Sequence, residues 1–219
     1  MFSSYRMSST LGVFSPISLV AFCFIVYAVS VGIGTVAGWS ATEASILAAI
    51  FVPLFVNAVI DMRTFCLIVG WTQLAGIATL MRISYEVYLG ADIGTIIYSL
   101  LAGIACVLLV CLPAVLRNTR EDAQSRLYLG TGDMRLLFLV ALIVATDGFQ
   151  WILAVLLISS LLALAAFLAR RIGATQGICG GVPCTESGGK LARHIAFGPF
   201  IVAIAWTVEL ILIPVQRLT

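Results

Sequence analysis

The feature that most constrains this chain is the continuity of its apolar runs. Seven can be drawn: Ile17 to about Gly38, Ala44 to Ile60, Phe65 to Met81, Ile93 to about Leu116, Met134 to Thr146, Phe149 to Leu168, and Ile195 to Ile213. Several approach the roughly 20 residues that cross a bilayer as a helix. They are continuous rather than alternating, which argues against the strands of a membrane β-barrel. Composition agrees: 62% of residues are hydrophobic and only 10% are charged, well outside the range of soluble domains. We read an all-α fold, a polytopic transmembrane helical bundle of six to seven spans, forming one domain over residues 1–219.

Local signals place the helix ends. The serine-rich stretch Met1 to Ser15 reads as a short tail, and Pro16 suits the first turn of the first helix. Glu43 reads as the cap at the start of the second helix, where a carboxylate complements the helix dipole. Pro53 lies within that helix and is expected to kink it. Asn57 and Asp61 are four residues apart and share a face near its end. Asp61 to Thr64 then reads as a very short loop. Gly70 and Gly76 in the third run predict close helix packing. Arg82 to Asp92 reads as a polar link in which Glu86 and Asp92 are solvated. Asp147-Gly148 reads as a tight turn. The stretch Arg117 to Gly132 is the most polar in the chain, and a glycine-rich loop follows Arg170-Arg171.

Charge placement gives a topology. With seven spans and the N-terminus inside, the inner segments hold Arg6, Arg63, Arg117, Arg120, Arg126, Arg135, Arg170, Arg171, Lys190 and Arg193. Only Arg82 and Arg217 fall outside. That asymmetry is the positive-inside pattern. It puts Asp61 and Asp133 at helix ends on the same, cytoplasmic side.

These two aspartates are the candidate catalytic pair. A carboxylate in or beside hydrocarbon is expensive unless it sits at an edge, pairs, or holds a proton. Two carboxylates a few ångströms apart share one proton. The ionised member can then take a proton from water while the neutral one donates to a carbonyl, as in aspartic proteases. No metal and no cofactor is needed. Gly130 and Gly132, in Gly130-Thr131-Gly132-Asp133, leave the backbone beside Asp133 open to an extended peptide. Arg63 and Arg135 follow the two aspartates by two residues each and would bias which one is ionised.

Plainer roles compete. Asp133 also suits a helix N-cap, which is compatible with catalysis. Glu209 lies inside the last apolar run, at the wrong end to join the pair, and reads as a structural partner or a near-interface residue. His194 is the single histidine and makes no metal site. Cys179 and Cys184 flank Gly-Gly-Val-Pro in a cytoplasmic loop, where reduced thiols are expected. A rival class is a small transporter or channel subunit using the aspartates as ion or proton sites. That class predicts inverted repeats, and the two halves of this chain show no convincing repeat. A third is a catalytically inactive assembly protein of the same fold.

Three segments together resemble the type IV prepilin peptidases, intramembrane aspartic proteases of the glycine-x-glycine-aspartate class. They are Gly130-Thr131-Gly132-Asp133 followed by Met134-Arg135-Leu136-Leu137, Asp61-Met62-Arg63-Thr64 after an apolar helix, and Phe197-Gly198-Pro199-Phe200 at the start of the last run. The family usually has lysine at the position of Arg135. Many members have isoleucine-proline where this chain has Phe65-Cys66. The resemblance implies cleavage of basic leader peptides from prepilins or pseudopilins at the cytoplasmic face of a prokaryotic inner membrane. Partners would be the prepilin and the lipid bilayer, with no nucleic acid. Larger members carry an N-terminal insertion with paired Cys-x-x-Cys motifs, associated with N-methylation of the mature pilin. This chain has no Cys-x-x-Cys, so it resembles the short form, and peptidase activity is what we expect.

Overall fold

A computed structural model of the chain describes residues 14–64, 67–118, 131–145, 147–174 and 197–218. The tail before Phe14, Gly130, the acidic pair Glu121 and Asp122, His194, Cys179 and Cys184 lie outside the described residues.

Every regular element among the described residues is helical. The order is α1 (Pro16–Ala37), α2 (Ala41–Thr64), α3 (Val69–Tyr88), α4 (Ile93–Asn118), α5 (Thr131–Ala145), α6 (Phe149–Ala174), α7 (Gly198–Thr207), a π-helical segment (Val208–Leu212), and α8 (Ile213–Leu218). The last three run on as one rod, since Thr207, Val208 and Ile213 all keep right-handed helical dihedrals. Pro214 gives the wider turn a cause. It has no N–H to offer the carbonyl of Leu210, and its ring crowds that carbonyl. A π turn lets the rod continue past it.

The all-α bundle expected from sequence is present. Four helical segments are long and apolar enough to cross a membrane: Pro16–Ala37, Ala41–Arg63, Phe149–Ala166 and Gly198–Gln216. These make the chain a membrane protein. Two further apolar stretches, Ile93–Leu109 and Arg135–Val144, are shorter. The third run does not reach the same apolarity, because α3 extends through Arg82 and Glu86 to Tyr88.

Capping chemistry explains the helix starts. Ser15 caps α1 by accepting the N–H of Ser18, with Pro16 in the first turn. Gly38 closes it in the left-handed region at φ 113°. Glu43 is not the cap of α2. Ser40 is, and the two form a reciprocal box: Glu43 N–H donates to Ser40 Oγ at 3.2 Å, and Ser40 N–H donates to Glu43 Oε2 at 3.0 Å. Asp92 caps α4, accepting from Thr95 N–H and Oγ1–H and from Gly94 N–H. Those bonds, the Thr95 hydroxyl first, hold its exposed carboxyl below the ordinary range.

α2 is the central helix. It packs against α1, α3 and α7 and buries Leu47, Ile50, Phe51 and Leu54 completely. In lipid, close van der Waals packing rather than hydrophobic transfer joins such helices, and small residues permit it. Gly70 and Gly76, expected to serve this purpose, do not: nothing approaches Gly70, and a Cβ on Gly76 would meet only Leu139 at 3.9 Å. The tight crossings are elsewhere. A Cβ on Gly34 of α1 would lie 3.0 Å from Ala44 of α2 and 3.1 Å from Leu210. One on Gly103 of α4 would lie 3.0 Å from Ile152 of α6. The outward faces of α1, α4 and α6 are apolar, with Phe24, Val36, Leu109 and Leu157 exposed, as a lipid-facing surface requires.

Candidate active site

Asp61 does not begin a loop, as the sequence reading had it. α2 continues to Thr64, and Asp61 sits one turn inside its end with only 5% of its surface exposed. Its neighbours Met62 and Arg63 are exposed. Asp61 therefore faces the bundle while the residues after it face outward, as helical spacing dictates.

Asn57 is fully buried on the same face, one turn earlier. Its Oδ1 accepts the N–H of Ile68 at 2.7 Å. Its Nδ2 donates to Ile68 O at 3.3 Å and to Thr72 Oγ1 at 3.1 Å. These bonds fasten the start of α3 to α2 beside Asp61. Without them the N–H of Ile68 would lose its acceptor, while Ile68 O would keep only the longer bonds from Thr72.

The third wall comes from the far end of the chain. Gly198 opens α7 directly against the Asp61 carboxylate. A Cβ there would lie 2.9 Å from Asp61 Oδ2 and 3.2 Å from Leu136 Cδ2. Pro199 follows in the first turn, and Gly198, Ile201 and Val202 are buried. Leu136 is 1% exposed and belongs to α5. Asp133 occupies the position one turn before Leu136, and Gly132 lies within the same first turn. α5 is longer than its apolar run: it starts at Thr131 and takes Gly132 and Asp133 into the helix. The side chain of Asp133 and all of Gly130 lie outside the described residues. Arg135 is exposed, like Arg63.

Three segments far apart in sequence thus meet at one end of the bundle: the end of α2, the first turns of α5, and the start of α7. Gly198 was not among the site residues chosen from sequence. Its signal was the Phe197-Gly198-Pro199-Phe200 segment, which carried no chemistry of its own.

A second buried polar group lies at the opposite end. Arg82, expected in a polar link, is inside α3 and only 4% exposed. Its Nη1 donates to Glu209 Oε2 at 2.7 Å and to Ile143 O at 3.2 Å. Its Nε donates to Glu86 Oε1 at 3.0 Å, and its Nη2 pairs with Asp147. Asp147 does more than serve the turn at Gly148, then, and Glu86 is not simply solvated. Trp39 Nε1 donates to the backbone carbonyl of Glu209 at 3.0 Å, and the guanidinium lies 6.0 Å from the Trp39 ring. Glu209 is a structural partner, as its sequence position indicated, and Arg82 is what it holds.

No group of three or more His, Cys, Asp or Glu side chains among the described residues is arranged to hold a metal ion. Comparison with family models, with curated proteins and with solved structures gives no match.

Proposed function

We propose that this chain is an intramembrane aspartic endopeptidase of the prepilin-peptidase kind, with Asp61 and Asp133 as its catalytic carboxylates. The observation that carries the reading is the seat of Gly198 against both Asp61 and Leu136. The three segments that carry the sequence resemblance converge at one end of one bundle, although 137 residues separate Asp61 from Gly198. A chance glycine-x-glycine-aspartate has no reason to fold beside a second aspartate's helix.

In this reading the ionised carboxylate takes a proton from water, and the oxygen attacks the scissile carbonyl. The protonated carboxyl donates to the carbonyl oxygen, giving a neutral tetrahedral diol. The diol then collapses: the C–N bond breaks, the leaving nitrogen takes a proton from the carboxyl that received it from water, and the other carboxylate takes the proton of a diol hydroxyl, which restores the singly protonated pair. Gly130 and Gly132 would let an extended substrate strand approach the backbone. Arg63 and Arg135, both exposed, would stand at the mouth of the site. The substrate is a prepilin or pseudopilin with a basic leader at the cytoplasmic face of a prokaryotic inner membrane and an apolar helix in the bilayer.

The test is cleavage of a co-expressed prepilin from the same genome, followed as a gel shift. The native chain should cleave. Asp61→Asn and Asp133→Asn should not, while accumulating normally in the membrane. Cleavage that persists in both variants contradicts the reading.

A further inference from the structure

The Asp61 carboxylate is closed off in this structure. Only 5% of the residue is exposed, and its Oδ2 is enclosed. Gly198 sits so close that an added Cβ would lie 2.9 Å from that oxygen. A scissile carbonyl has to come within hydrogen-bond reach of such a carboxyl, roughly 2.6–3.2 Å. The start of α7 occupies that approach, so it has to withdraw before a peptide is cut.

The ties along the last rod show where it would bend. The π-helical segment is pinned twice: Trp39 Nε1 donates to Glu209 O at 3.0 Å, and Arg82 Nη1 donates to Glu209 Oε2 at 2.7 Å. Inward of it, Trp206 Nε1 donates to Ser30 Oγ of α1 at 2.9 Å. Nearer the site, Ser159 Oγ of α6 reaches Phe200 O only at 3.5 Å, the outer limit of a hydrogen bond. α1 and the rod run in register here: Gly34 meets Leu210, and Ser30 meets Trp206 one turn earlier on each. Ser30 is the innermost buried residue of α1. From Pro16 to Val29 every residue of α1 is at least partly exposed, and so is Ala203, a turn inward of Trp206. The wall that α1 offers the rod therefore stops at the Trp206–Ser30 bond. The pinned segment is also where the regular i→i−4 ladder is interrupted, as π turns at functional sites often do.

We propose that the first turns of α7 are a gate over Asp61, hinged at the π-helical segment and latched by the Trp206–Ser30 hydrogen bond. With the latch closed, Gly198 covers the carboxylate, which only a residue lacking a Cβ can do at this distance. With it released, the inner half of the rod swings out while Glu209 stays pinned, and Asp61 opens to water and to an extended peptide. The importance of the gate for cleavage rests on the peptidase reading; the motion itself does not.

The experiment is labelling by a water-soluble methanethiosulfonate in lipid nanodiscs, with the full chain and its six native cysteines replaced by alanine. Three single cysteines are compared: Asp61→Cys under the gate, Met62→Cys at an exposed neighbour, and Ile213→Cys at a buried position beyond the hinge. Asp61→Cys should react more than about tenfold slower than Met62→Cys, yet faster than Ile213→Cys, because it is reached through a local opening. Adding Ser30→Ala should speed the reaction of Asp61→Cys by about 2- to 10-fold, the worth of one hydrogen bond, and leave Ile213→Cys unchanged. Trp206→Phe, which keeps a ring against Phe55, should do the same and serves should Ser30→Ala fail to fold. A rate for Asp61→Cys equal to that of Met62→Cys, or as slow as that of Ile213→Cys, overturns the proposal. So does a rate that the latch variants leave unchanged, or a rise that Ile213→Cys shares, which is general loosening. Prepilin cleavage by the native chain is measured in parallel. Labelling as expected with no cleavage keeps the gate and counts against the peptidase reading alone.

Discussion

Gly198→Ala is the smallest change that reaches the Asp61 carboxylate. The added Cβ would sit 2.9 Å from Asp61 Oδ2 and 3.2 Å from Leu136 Cδ2. Comfortable contacts lie near 3.5 Å or beyond, so the carboxylate must move by about half an ångström or α7 must back away. Alanine gains about 0.5–1 kcal/mol of helix propensity over glycine. Overpacking costs about 1–3 kcal/mol. The net loss of stability is therefore about 0–2.5 kcal/mol, small enough for the protein to accumulate. Catalysis is far less forgiving, since a misplacement of about 1 Å can reduce a rate by about 100-fold. We expect cleavage by Gly198→Ala to fall by about 10- to 100-fold at near-normal abundance. The assay is initial-rate prepilin cleavage in isolated membranes, normalised to immunoblotted enzyme. Gly76→Ala is the control, because its Cβ would meet only Leu139 at an ordinary 3.9 Å. Wild-type rates from Gly198→Ala would refute the role assigned to this wall.

Other substitutions probe the supports. Asn57→Ala removes the acceptor of the Ile68 N–H and a donor to both Ile68 O and Thr72 Oγ1 and should destabilise the fold by about 1–3 kcal/mol, read as a lower thermal midpoint in detergent. Arg82→Met leaves Glu209 and Asp147 buried without their cation and should cost about 3–5 kcal/mol. The double variant Arg82→Met with Glu209→Met should recover part of that loss, which a thermal-shift comparison measures. Asp92 has a lowered folded-state value, so its capping contribution is full above the unfolded aspartate value of about 4 and is lost as pH falls through the folded value. The stability difference between wild type and Asp92→Ala should therefore shrink on acidification, in unfolding measured from about pH 6 down to about pH 3.

How much of this was legible beforehand depends on the range of the interaction. Helix existence follows from local apolar continuity, and each of the seven runs holds a helix. The Asn57–Asp61 face follows from four-residue spacing, and both side chains are buried. Helix ends were less legible. Asp61 was given to a loop because the apolar run stops at Ile60, yet the backbone bonds of α2 continue to Thr64. A buried polar residue can extend a helix whose hydrophobic pattern has ended. Arg82 was misread for a different reason. Glu86, four residues on, is its one partner near in sequence among the described residues; Asp147 and Glu209 lie 65 and 127 residues away, so its burial could not be read locally. The same distance hid the role of Gly198. Gly70 and Gly76 show the converse: a glycine in an apolar run is necessary for close approach but does not say which face the neighbour takes.

The central claim is that Asp61 and Asp133 act as one unit. Purified native enzyme, Asp61→Asn, Asp133→Asn and the double variant should be compared on one prepilin in nanodiscs, with the cleavage site read by mass spectrometry. Residues of one catalytic unit are strongly non-additive. Each single variant should fall to the same background rate as the double. A single variant that retains the native rate, or losses that multiply in the double, would contradict a shared site.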